Sequence, residues 1–77
     1  MHLTTRNAVA RARSMIRVID NSLLLGLAEG NTAVAQGYIS SLLDCGLIER
    51  SQFEVLIIES EMALSSWRAK PNIDRLS

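Results

Sequence analysis

The segment Ser51–Lys70, SQFEVLIIESEMALSSWRAK, decides the fold of this chain. Its apolar residues recur at helical, not strand, spacing. On a wheel of about 100° per residue, Phe53, Leu56, Ile57, Ala63, Leu64 and Trp67 share one face. Val55, Ile58, Met62 and Ala69 share the opposite face. A surface helix of a lone small domain needs one apolar stripe, facing its core. A second stripe needs a second cover. The simplest cover is another copy of the chain, which predicts a homodimer with Val55, Ile58 and Met62 at the dimer or partner interface. A third helix sandwiched between two others in one chain would also bury both stripes.

Outward from this segment, size and composition point the same way. The chain has 77 residues, enough for one domain. A domain of this size is thinly stabilised unless disulfides, a metal, oligomerisation or regular helix packing assist it. The lone Cys45 cannot form an internal disulfide, and with the lone His2 it cannot assemble a Cys/His zinc site. Oligomerisation and helix packing remain. At 48% hydrophobic and 21% charged residues, the chain is too apolar to be disordered. No apolar run approaches the ~20 residues of a membrane span. The N-terminus carries arginines without a secretory apolar region and cleavage site. A cytoplasmic protein without a membrane partner is therefore expected.

The expected fold is all-α, a three-helix hairpin or bundle spanning residues 1–70, with 71–77 as a frayed tail. The first helix is expected from Thr4 or Thr5 to about Glu29. Its seam is Val9, Ala12, Ile16, Ile19, Leu23 and Gly26, at alternating steps of three and four. Val18, Leu24 and Leu25 lie off this seam and suggest burial on more than one side. Gly30 is the expected stop, and Asn31 or Thr32 the cap of the second helix. That helix runs to about Cys45, with Ala35, Tyr38, Ile39, Leu42 and Leu43 inward. Gly37 would admit a neighbouring helix closely. Gly46 ends the second helix in the left-handed conformation. Ser51 and Glu54 form a capping-box pattern for the third helix, with Leu47 and Ile48 tucked under Phe53. Pro71 ends it.

The stretch Leu42–Phe53, LLDCGLIERSQF, resembles the helical hairpin of short oligomerisation modules of the SHOCT type. The likeness lies in a Gly-hydrophobic-Ile turn followed by a capped helix with an early Phe. It covers about a dozen residues and lacks those modules' lysine-rich helix start. It implies a hairpin and brings no function with it.

Charge is balanced in total and uneven along the chain. Residues 1–19 carry Arg6, Arg11, Arg13 and Arg17 and no acid. Residues 20–66 carry seven acids against Arg50. Arg6, Arg13 and Arg17 fall on one side of the first helix, while Arg11 lies apart. Glu54 and Glu61 share a lane of the third helix with the same seven-residue spacing as Arg6 and Arg13, so these charges are expected to pair or to be solvated. As a charged surface for a partner, the candidates are Arg6, Arg13, Arg17, Glu54 and Glu61.

No catalytic constellation stands out. Nucleophilic catalysis needs a Ser or Cys beside a base. The only His is at position 2, and Cys45 falls at a helix C-terminus, where the dipole disfavours a thiolate. Cys45 reads as a small buried apolar residue. Glu54, Glu59 and Glu61 read as a solvated face, and there is no phosphate loop or Glu-x-x-His pair. No cofactor or metal is expected. Trp67 reads as the cap of the core, with a binding hot spot as the alternative.

The function expected is a non-enzymatic interaction protein: a homodimer that regulates or inhibits an unidentified protein partner by occlusion. Small accessory proteins of phages and mobile elements have this size and character. The alternative is a dimeric DNA-binding regulator that contacts phosphates through Arg6, Arg13 and Arg17. Against it stands the acidic third helix, which would repel a DNA backbone. A third option is an enzyme or carrier whose site forms only at the dimer interface.

Overall fold

A computed structural model describes residues 4–70. It contains three helices: α1 (Thr5–Asp20), α2 (Leu25–Asp44) and α3 (Arg50–Ala69). All three pairs of helices pack against one another. The Thr5 hydroxyl donates to the Leu47 carbonyl beside the start of α3, Arg13 meets Glu59, and Lys70 meets Asp20. α1 and α3 therefore run in the same direction, and α2 returns between their ends. His2, Pro71 and the expected tail 71–77 lie outside the described residues.

α1 begins where the Thr4 hydroxyl accepts the Asn7 amide at 3.1 Å, satisfying one orphan donor of the first turn. The expected seam holds for Ala12, Ile16 and Ile19, which are buried, and for Val9, which packs against the same cluster. It fails at Leu23. The first helix stops at Asp20, nine residues before the expected end, and Leu23 is 75% exposed. Asp20-Asn21-Ser22 carries the reason. Asp, Asn and Ser side chains compete for nearby backbone groups and favour turns over helix interiors, and Ser22 Oγ donates to the Val18 carbonyl at 2.9 Å. The break is then held from outside. Lys70 Nζ donates to the Asp20 carbonyl at 2.7 Å, and Trp67 Nε1 donates to the Ser22 carbonyl at 2.6 Å.

α2 accordingly starts at Leu25 and runs straight through Gly30 and Asn31. The expected boundary there does not exist. Ala28, Thr32, Ala35, Ile39 and Leu42 form a buried stripe at steps of four and three, and its burial outweighs the ~1 kcal/mol that an interior glycine costs. Thr32 bonds to the Ala28 carbonyl at 2.7 Å and Asn31 to Ser22, so neither caps a helix. Close helix approach is the expectation at Gly37, and Gly26 is a small residue of the expected first-helix seam. A β-carbon at either would meet nothing within 4 Å, so neither glycine marks a contact.

The α2–α3 turn follows expectation more closely. Gly46 has φ +76°. The Gly46 amide reaches the Leu43 carbonyl, and the Leu47 amide reaches the Leu42 carbonyl. This pair of bonds is a Schellman ending. Ile48 is buried in the cluster against which Leu47 and Phe53 pack. The capping box is present, but two residues earlier than expected. Glu49 and Gln52 exchange side-chain bonds with each other's backbone, in place of Ser51 and Glu54. At the other end, Lys70 is extended (φ −69°, ψ 145°), the conformation required before a proline.

The core is narrow. Ala8, Ala12, Ala28, Ala35 and Ser60 are fully buried. Ser60 receives a 3.0 Å bond from Gln36 and donates to the Ile57 carbonyl, so its burial leaves no orphan. Among the described residues, seven large apolar side chains are buried: Ile16, Ile19, Ile39, Leu42, Ile48, Leu56 and Trp67. Nine large apolar side chains are exposed.

Candidate interaction surface

Three of those nine lie on α3. Val55 is 48% exposed, Ile58 53% and Met62 64%. α3 packs against both other helices, yet this stripe faces neither. With Ser65 and Ala69, also exposed, it continues at steps of three and four for the rest of α3. That spacing is the seam of a helix pair. The sandwiched arrangement that would have buried Val55, Ile58 and Met62 within one chain is not adopted.

One edge of the stripe is basic. Arg13 grips Glu59 with two parallel bonds, Nε to Oε1 at 3.2 Å and Nη2 to Oε2 at 3.1 Å. The hydrogen bond, and then the charge of Glu59, raise the Arg13 pKa against a small opposing effect of burial. Such a partly exposed pair contributes at most about 1 kcal/mol, so its main effect is to set the register of α1 on α3. The expectation that the arginines pair with Glu54 and Glu61 or are solvated is corrected for Arg13 alone: its partner is Glu59, which lies on the α1 side of α3, while Arg6 and Arg17 are exposed. Arg6 and Arg17 flank Arg13 along α1, and Arg17 Nη2 donates to Ser14 Oγ of its own helix. A shallow groove between α1 and α3 is lined by Val9, Arg13, Ser51, Gln52, Val55 and Leu56.

The other edge is acidic. Glu54 and Glu61 are exposed and form no ion pair among the described residues. Arg50 and Arg68 share that side of the helix. Arg68 is turned toward α2, 2.7 Å from Glu29.

A second apolar surface escaped the sequence reading. Val18, Leu23, Leu24, Leu25 and Leu27 are all exposed around the α1–α2 turn. A first helix running on to Glu29 would hold Leu23 in its seam and bury Val18, Leu24 and Leu25; the break after Asp20 leaves them exposed, with Leu27 beside them. The signal that would have found them is Asp20-Asn21-Ser22. Trp67 lies at the same end but is 3% exposed, with its indole spent on Ser22. It has no ring surface to offer a partner while the bundle is intact. Cys45, expected to be buried, is exposed, because it caps α2 on the open side of the turn.

Among the described residues, no three His, Cys, Asp or Glu side chains gather as a metal site would require, and no helix is long and apolar enough to cross a membrane. Comparison with protein-family models, curated proteins and solved structures finds no match, so the SHOCT-like stretch Leu42–Phe53 has no family match behind it.

Proposed function

We propose that this chain is a small interaction protein that self-associates through the outer stripe of α3 and regulates or inhibits a protein partner by covering it. One observation carries this reading: more large apolar side chains are exposed than buried, nine against seven among the described residues. Scattered apolar residues on a surface need no explanation, but grouped ones mark interaction sites. Here they fall mainly into two groups, one on α3 and one around the α1–α2 turn. The first has the spacing of a helix seam and suits a second copy. The second remains for another protein.

The test is solution mass by light scattering across a concentration series. Wild type is expected to be dimeric, Ile58→Glu monomeric and folded, and Leu24→Glu still dimeric. A wild-type monomer at all concentrations would remove self-association from the account.

The DNA-binding alternative now rests on Arg6 and Arg17, since Arg13 is engaged by Glu59. It requires binding that falls steeply with salt. Absence of binding to duplex DNA at low salt would eliminate it.

A further inference from the structure

Resting on the self-association reading, we infer that two copies pair with their α3 helices parallel, the two-fold axis running along the helices. The α3 stripe lies between unlike edges. On the α1 side stand Arg6, Arg13 and Arg17, and on the far side Glu54 and Glu61. A two-fold axis along α3 turns each copy's acidic edge over the other's basic edge. A two-fold axis across α3 makes the helices antiparallel and sets acidic edge on acidic edge. With Ile58 central, it would place Glu54 beside Glu61 of the other copy. Like charges face to face disfavour an assembly, and unlike charges specify its register.

The axial levels fit the parallel arrangement. α1 and α3 run in the same direction, and the Arg13–Glu59 pair fixes their register. By that register, Arg6 lies level with Gln52 and Arg17 level with Ala63. At about 1.5 Å per residue, Glu54 is about 3 Å along the axis from Arg6, and Glu61 about 3 Å from Arg17. Residues of the same level meet across a parallel pair. Glu54 of one copy therefore reaches Arg6 of the other, and Glu61 reaches Arg17. Arg50 stands on the acidic side, but at the first residue of α3, beyond the level of Glu54. Val55, Ile58 and Met62 then stack on their own counterparts along the seam, with the α1–α3 groove receiving the neighbouring helix.

Disulfide trapping separates the two arrangements. In a Cys45→Ser background, cysteine is placed at Ser51 or at Ser65, both exposed on the seam. A disulfide needs β-carbons within about 4.5 Å. A parallel pair predicts that Ser51→Cys and Ser65→Cys each form covalent dimers alone on mild oxidation. An antiparallel pair centred on Ile58 predicts little product from either alone and a cross-linked heterodimer when they are mixed, which would overturn the inference while leaving self-association intact. A dimer by mass that traps in neither experiment places the interface elsewhere and also overturns it. A monomer by mass defeats the self-association reading itself. As a second readout, Glu54→Lys/Glu61→Lys and Arg6→Glu/Arg17→Glu should each lose self-association, and mixing them should restore it.

Discussion

The two faces of α3 are made of similar residues and have opposite fates. Inward, Leu56, Ser60 and Trp67 are buried, the first two by close helix packing and the third by a bond to the α1–α2 turn. Outward, Val55, Ile58 and Met62 are about half exposed or more. Composition does not separate these faces. What separates them is the number of elements available to cover them. Among the described residues, α1 and α2 cover one side of α3 and no third element lies over the other. Small domains that cannot close a large core on their own commonly gain the missing burial by association.

The sharpest way to break this contrast is to truncate each face and measure subunit stability at concentrations low enough to keep the protein monomeric. Leu56→Ala should cost about 2–5 kcal/mol, through lost burial and the cavity left behind. Denaturant titration would show this as a large fall in midpoint, and a small change would mean that the inner face is not the core. Trp67→Phe should cost less, about 1–3 kcal/mol, mainly by leaving the Ser22 carbonyl without its indole donor. Loss of protection from hydrogen exchange in residues 20–25 would accompany it, because that turn is held from α3. Met62→Ser should change monomer stability by no more than about 0.5 kcal/mol, as for a surface site. A loss as large as that at Leu56 would show that Met62 is covered within one chain.

Legibility in the sequence followed the same division between local and distant causes. The α2–α3 turn was readable because its determinants are local: a glycine at φ +76° and side chains that cap a helix. Even there the sequence pattern points to a box at Ser51 and Glu54, a commoner pairing than the Glu49–Gln52 box that forms. The α1–α2 turn was not readable. It has no glycine or proline, and the leucines after it continue the helical period of α1. Its stability comes from Trp67 and Lys70, about fifty residues later in the chain. The error moved Leu23 from the core to the surface and hid the second apolar group. Periodicity does separate the buried Leu56 and Trp67 from the exposed Val55, Ile58 and Met62, because that separation depends only on spacing within one helix. The identity of the arginine partner could not be read that way. Glu54, Glu59 and Glu61 are all in reach on paper, and only the packing angle of α1 selects Glu59.

In the proposed dimer the α3 stripe meets a second copy of itself. A dilution series of isotope-labelled protein, followed by amide chemical shifts, tests it residue by residue. Concentration-dependent shifts are predicted at Val55, Ile58 and Met62, extending to Arg6 and Arg17 on α1 and sparing Leu23 to Leu27. Shifts confined to the α1–α2 turn, or none over the whole series, would contradict it.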